Sequence, residues 1–266
     1  MGKSFINLAK MFHVKHFKGF LVENIDKTIL EATKLIGVAL SKEQERAFLL
    51  YLKLLQNKNK TTNIVANSEE KEIIYKHFID SIAIPPVLRS LFSENRQLSL
   101  LDIGTGGGFP GIPLKIIYPS LQLSLMEATN KKVEFIKEVV RQLSLDKVSI
   151  TWGRAEEFGQ QAQYREKYDI VVARALAELN VLAELAIPFL KKQGLFIAYK
   201  GPKLDEELAM AEKAITTLGG EVQDIIESDI TGIRRSFIII KKVAETPAKY
   251  PRRPGIPQKR PILEQK

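Results

Sequence analysis

No cysteine occurs among the 266 residues, which excludes disulfides, thiolate zinc sites, iron–sulfur clusters and cysteine nucleophiles. No metal is expected. No apolar run approaches the roughly 20 residues that span a bilayer, and the N-terminal stretch lacks the apolar middle and small-residue cleavage site of a secretory signal. A soluble, cytoplasmic protein without a membrane partner is the expectation. Acidic residues are absent from positions 1–20, which hold four lysines, and only two fall in positions 241–266 against eight Lys/Arg. The net charge of +9 is therefore carried by the two ends, around a nearly neutral body. Such a distribution suits an enzyme that grips a polyanion with its extremities. Five of the twelve prolines also lie in the tail, favouring an extended, partly pre-ordered segment there.

What is present divides the chain into four parts: a basic arm over 1–20, a helical subdomain over 21–97, an α/β core over 98–242 and a Pro-rich basic tail over 243–266. In the second part, Ile25, Ile29, Leu30, Leu35 and Ile36 make one apolar face. Ser41-Lys-Glu-Gln44 reads as a capping box opening a helix through Phe48, Leu49, Leu52 and Leu55. Residues 57–67 are polar and turn-rich. A helix through Ile73, Ile74, His77, Phe78 and Ile82 follows, stopped by Pro85-Pro86. Beyond a charged linker over 93–97, strands near 98–103, 121–127, 147–151, 168–173 and 194–199 alternate with helices near 112–117, 130–144, 155–159 and 179–191. A helix over 203–218 leads to two late strands near 221–227 and 235–241. The alternation predicts a mostly parallel sheet covered on both faces, with an antiparallel hairpin at its edge.

The chemistry concentrates in Leu100-Leu-Asp-Ile-Gly-Thr-Gly-Gly-Gly-Phe-Pro-Gly-Ile-Pro113, where four of sixteen glycines fall between 104 and 108. Glu127 ends the next apolar run, where a nucleoside-binding sheet places the carboxylate that holds ribose hydroxyls. No Lys-Ser or Lys-Thr follows this turn, so it is not a P-loop. Gly106-x-Gly108-x-x-Gly111 matches a dinucleotide fingerprint in form, but Pro110 and Pro113 remove backbone donors where a pyrophosphate needs them. S-Adenosylmethionine, which has no phosphate, fits better. Its methionine part would lie on the glycine turn, its ribose at Glu127 and its adenine near Ala155-Glu156. Arg174, after the fourth strand, faces the crevice and either positions cofactor or base or forms a structural ion pair. Lys200 is a second cation at the rim, or a solvated strand end. With no Asn/Asp-Pro-Pro-aromatic motif and no cysteine, the residues suit a nucleophile that needs little help, such as guanine N7, which carries no proton to remove.

Assembled, these residues resemble the ribosomal small-subunit methyltransferase G family, also called glucose-inhibited division protein B, from about residue 40 to 262. The resemblance rests on His77-Phe-Ile-Asp80-Ser81, the Gly104–Pro113 turn, Glu127-Ala128-Thr129 with Lys131-Lys132, and Gly153-Arg154-Ala155-Glu156. Ala173-Arg174-Ala175, Leu218-Gly219-Gly220 and Tyr250-Pro-Arg-Arg-Pro-Gly255-Ile-Pro complete it. It implies a Rossmann-like class I methyltransferase that acts as a monomer on N7 of a guanine in 16S rRNA of the small ribosomal subunit, using S-adenosyl-L-methionine. The implied cofactor contacts are Gly104, Phe109, Glu127, Ala128, Thr129, Ala155, Glu156 and Arg174, with no general base. Lys200, Arg252 and Arg253 are expected to face RNA. Two features depart from the family: it usually has aspartate where Glu127 stands, and its Trp-Asn-x-x-x-Asn-Leu-Thr signature reads Lys58-Asn59-Lys-Thr-Thr-Asn63-Ile64-Val65 here. His77 and Asp80 read as a helix-face pair docking the subdomain or as an acid–base pair.

Overall fold

Five strands with near-continuous apolar runs or simple alternation lie side by side in parallel, as sequence alternation requires. The computed structural model describes residues 25–84, 86–93, 97–201, 204–230 and 233–263. The basic arm over 1–20 and part of the linker over 93–97 fall outside them. Strands β1 (Ser99–Ile103), β2 (Gln122–Glu127), β3 (Val148–Trp152), β4 (Tyr168–Arg174), β5 (Leu190–Lys200), β6 (Gly220–Ile230) and β7 (Ile233–Lys242) form one sheet. Their order is β3-β2-β1-β4-β5-β7-β6, with only β7 running antiparallel to its neighbours. The edge hairpin is thus present, folded so that its second strand pairs with β5. β1 neighbours β2 on one side and β4 on the other, so the sheet reverses its winding there. That reversal opens a crevice at the carboxyl ends of β1 and β4.

The inner strands are buried on both faces, and their side chains sort by period two. Leu100, Leu123, Leu125, Val172, Ile197 and Ile239 enter one cluster. Leu101, Met126, Val171, Ala173, Ala198 and Ile238 enter the other. The second face is covered by α9 (Leu179–Ala186) and α10 (Leu204–Thr217). The first face is covered by α7 (Asn130–Gln142), through Phe135, Ile136 and Val139, and by the N-terminal helices. Those helices are α1 (Ile25–Leu35), α2 (Lys42–Asn59), a mixed run from α3 (Glu70–Glu72) through a π-helix (Ile73–Ile79) to α4 (Asp80–Ile82), and α5 (Pro86–Ser93). They share one hydrophobic cluster with the sheet rather than holding a core of their own.

Local chemistry explains most boundaries. Ser41 and Gln44 form the expected capping box on α2. Asn59 closes the following turn, its Oδ1 accepting the amides of Ile64 (2.8 Å) and Val65 (3.0 Å). Two boundaries differ from the sequence reading. The helix expected over 179–191 ends at Ala186, because Pro188 cannot continue it, and β5 already starts at Leu190. α5 stands where the residue pattern suggests only a helix stop and a linker, yet Pro86 opens it, proline being favoured in a helix's first turn.

The tail doubles back instead of extending. Arg165 donates to the carbonyls of Thr246 (2.6 Å), Tyr250 (2.7 Å) and Gly159 (3.1 Å). Tyr250 and Pro251 are buried, and a short helix, α11 (Ile256–Lys259), follows. Among the described residues no helix is long and apolar enough to cross a membrane, and no group of three His/Cys/Asp/Glu could hold a metal ion.

Candidate active site

Asp102, near the end of β1, organises the glycine turn. Its Oδ2 accepts the Thr105 hydroxyl (2.6 Å) and the Gly111 amide (2.8 Å), and its Oδ1 is buried without a hydrogen-bond partner. Burial raises this carboxyl to about 6, against the opposing pull of the Thr105 and Gly111 hydrogen bonds. The turn itself bends sharply at Gly108, where an added Cβ would lie 2.5 Å from the Tyr51 hydroxyl and the Ile112 side chain. Gly106 differs. It sits at φ +60°, and the nearest atom to the place its Cβ would take, the Gly104 carbonyl oxygen, is 3.9 Å away. That is an open, left-handed backbone position where a ligand can lie against the chain.

The amides of the turn are almost all spoken for. Gly104 and Thr105 donate to Met126 O, Gly106 to Glu127 Oε2, Gly108 and Phe109 to Thr105 O, Gly111 to Asp102 and Ile112 to Gly108 O. Pro110 and Pro113 have none to give. The start of α6 (Gly111–Ile117) therefore presents no free donor to a pyrophosphate, and places a carboxylate beside it.

Glu127, at the end of β2, is 7% exposed. Its Oε2 accepts the Gly106 amide at 2.9 Å and its Oε1 accepts the Thr129 amide at 2.8 Å. One carboxylate thus ties the glycine turn to the β2–α7 loop, and each oxygen keeps a second lone pair. Gly104, Phe109, Glu127, Ala128 and Thr129 all gather at the ends of β1 and β2. Ala155 and Glu156 stand at the start of α8 (Ala155–Phe158), just past β3. The Glu156 carboxylate accepts the Gly255 amide of the tail at 3.0 Å.

On the other side of the turn, Phe109 stacks on Tyr51 (centroids 5.5 Å apart) and on His77 (4.9 Å), with the Arg174 guanidinium 5.2 Å from its ring centre. Tyr51 donates its hydroxyl to Gly107 O, and burial keeps that hydroxyl protonated. Arg174 donates to Asp80 Oδ2 (2.8 Å), Lys76 O (3.1 Å) and His77 Nδ1 (3.2 Å). Burial, reinforced by Arg174, lowers His77 to about 4, so the ring is neutral at pH 7 and Nδ1 is free to accept. Asp80 also binds Arg235 from β7. It links helix, β4 and β7.

Other expected site residues lie differently. Lys200 pairs with Glu207 and donates to Ala177 O (2.7 Å), so its ammonium is engaged within the fold. Arg252 binds Glu184 through Nε (2.9 Å), Nη2 (2.6 Å) and its own amide (2.8 Å), whereas Arg253 is exposed. Arg252, expected to face RNA, is held within the fold by this partner: Glu184 is buried in α9 and its charge has to be met. Arg252→Ala should destabilise the fold by about 2–4 kcal/mol, because it strands that carboxylate, as a thermal melt would record. Arg253→Glu should leave the melt in place and flatten the salt dependence of RNA binding; an unaltered slope would show that the tail takes no part.

Sequence reasoning did not find Tyr51, Asp102 or Arg235. Asp102 carried a signal, being a charged residue inside an apolar strand. Ile64, which stands where the family signature has leucine, packs against the turn, its Cγ2 2.9 Å from where a Gly107 Cβ would be.

The chain matches the family model for rRNA small subunit methyltransferase G over residues 44–237. A relative from Pelotomaculum thermopropionicum named ribosomal RNA small subunit methyltransferase G is 45% identical over 238 residues, covering 89% of this chain and 98% of its own. One from Clostridium botulinum (strain Loch Maree / Type A3), with the same name, is 47% identical over 217 residues, covering 81% and 89%. Among solved structures, a mutant of MtNAS in complex with S-adenosylmethionine superposes with TM-score 0.51 at 15% identity, covering 83% of this chain and 88% of that one, which shows a shared fold. With near-complete relatives at this identity and a matching model across the glycine turn, Glu127 and Arg174, the chain belongs to the rRNA small subunit methyltransferase G family.

Proposed function

We propose that this protein transfers a methyl group from S-adenosyl-L-methionine to N7 of a guanine in 16S rRNA of the small ribosomal subunit. The relatives' shared name supports an rRNA methyltransferase, and the fold neighbour crystallised with S-adenosylmethionine supports the donor. The observation that carries the reading is the amide arrangement at the turn. It has an open backbone surface at Gly106 and a ribose-suited carboxylate at Glu127, while the amides that open α6, where a diphosphate would need them, are already bonded or replaced by proline. The buried Asp102 Oδ1, lacking a partner, suits a cationic ligand over an anionic one.

Bound there, the donor supplies an electrophilic methyl on a sulfonium. Glu127 would accept ribose hydroxyls while holding Gly106 and Thr129 in place. Ala128, Thr129, Ala155 and Glu156 would flank the adenine, and Gly104 to Phe109 would carry the amino-acid end. Guanine N7 has an in-plane lone pair and no proton, so the chain needs to orient the base rather than deprotonate it. The neutral, weakly basic His77 accords with that. Arg174, held by Asp80 and two backbone carbonyls, would position the cofactor or base.

The direct test is incubation with donor carrying a labelled methyl and 16S rRNA, followed by mass mapping of the modified guanines. Label on N7 of one guanine is the expected result. Label on another RNA or a small molecule, with none on 16S rRNA, would overturn it.

Asp102 supplies a pH signature. Its folded-state value lies above the ordinary 3.8, so the folded state holds its proton more tightly than the unfolded chain. Its contribution is fully favourable below pH 3.8 and is lost as pH rises through about 6. Ionisation at pH 7 then costs about 3 kcal/mol of stability. Asp102→Asn keeps an acceptor for Thr105 and Gly111, and should melt higher than the parent at pH 7 but not at pH 4. Its donor affinity should be lower and flat with pH, while the parent's declines below about pH 6.

A further inference from the structure

Trp152 is the chain's single tryptophan, and the residue is 60% exposed. Among the described residues it is the one exposed large aromatic; the other exposed apolar side chains are aliphatic and lie on other elements. The indole is not free to wander. It closes the edge strand β3 in register with Glu127, and its Nε1 donates to Ala128 O at 3.1 Å. The ring is therefore held one strand spacing from the ribose-suited carboxylate, with most of its surface open to solvent.

Its surroundings are basic rather than apolar. Lys131 and Lys132 lie in the first turn of α7, two to three residues beyond Ala128–Thr129, and Arg154 follows two residues after the ring. None of the three side chains is in an ion pair among the described residues. The nearby acids are otherwise engaged: Glu157 accepts the Arg154 amide, and Glu156 accepts the Gly255 amide. A protein or lipid partner would call for a contiguous apolar patch. One flat ring, with cations that form no ion pair on the neighbouring segments at the β3 and β2 strand ends, matches a strand of unpaired nucleotides, whose bases stack and whose phosphates seek positive charge.

We propose that the exposed face of Trp152 is a stacking platform for an unpaired base of the RNA substrate, with Lys131, Lys132 and Arg154 engaging the adjoining phosphates. The proposal rests on the RNA reading above. It extends the RNA contact to the β3 edge, next to the segment where the basic tail's Gly255 meets Glu156.

Excited at the long-wavelength edge where tyrosine does not absorb, intrinsic emission reads this one ring, since no other tryptophan contributes. Titrating the full chain with a short guanine-containing single-stranded RNA should quench that emission in step with binding followed by anisotropy of labelled RNA. Inorganic polyphosphate should compete without quenching. Trp152→Leu should weaken RNA binding about 5- to 100-fold with its salt slope unchanged, and Trp152→Phe should recover most of the loss. RNA binding without any change in emission would overturn the proposal. So would quenching by S-adenosylmethionine alone, which would assign the ring to the donor pocket. If the parent methylates 16S rRNA while the emission stays silent, only this inference fails; if no RNA binds at all, the RNA reading fails with it.

Discussion

Glu127→Ala is expected to weaken S-adenosylmethionine binding about 10- to 100-fold, the range set by losing charge-assisted hydrogen bonds. Two losses combine. The ribose would lose its acceptor, and the Gly106 and Thr129 amides would lose the carboxylate that now joins them across two loops. Glu127→Gln separates these contributions: it keeps one acceptor but turns an NH2 toward one of the amides, so its affinity should lie between alanine and parent. Glu127→Asp should come closest to the parent, since it restores the family's usual residue and keeps both oxygens on a shorter arm. Calorimetry on the three variants would check the order. Parent affinity in the alanine variant would remove Glu127 from the site.

Asp80→Ala should destabilise the fold through two partners at once. The carboxylate is 4% exposed and meets two guanidiniums, Arg174 from β4 and Arg235 from β7. Removing it strands both charges. Breaking a buried pair costs about 3–5 kcal/mol; Arg235 is 30% exposed, and its access to water pulls the figure to about 3 kcal/mol. In a chain of this size that corresponds to a melting temperature lower by roughly 6–12 °C. Asp80→Asn, which retains an acceptor, should lose less. Melting curves of both variants decide the matter, and a shift under about 1 °C for alanine would mean that this network holds nothing together.

The strands were legible because parallel strands covered on both faces must be apolar nearly throughout, and Leu100–Ile103, Ile170–Ala173 and Leu195–Tyr199 are. The glycine turn and Glu127 were legible for a related reason: their meaning is local, a strand, a sharp bend and a carboxylate one strand over. Pro85-Pro86 misled because one proline pair ends one helix and opens the next. The π geometry of Ile73–Ile79 has no signature in residue spacing, although Arg174 donates to two carbonyls within it, those of Lys76 and His77. Long-range partners were the harder part. Asp80 and Arg235 are 155 positions apart, and nothing near either residue names the other. The pairing of Arg252 with Glu184 was hidden because Glu184 looked like an ordinary helix acid. Its place in the apolar run Leu179–Ala186 was the overlooked sign of burial.

Donor specificity comes down to whether the Gly104–Phe109 turn and Glu127 accept a cationic nucleoside without phosphates and refuse a dinucleotide. Calorimetric titration of the full chain with S-adenosylmethionine and, separately, with NAD decides between the two. A single saturable site for the first and no heat of binding for the second is the expected result. A saturable NAD site with none for S-adenosylmethionine would contradict it.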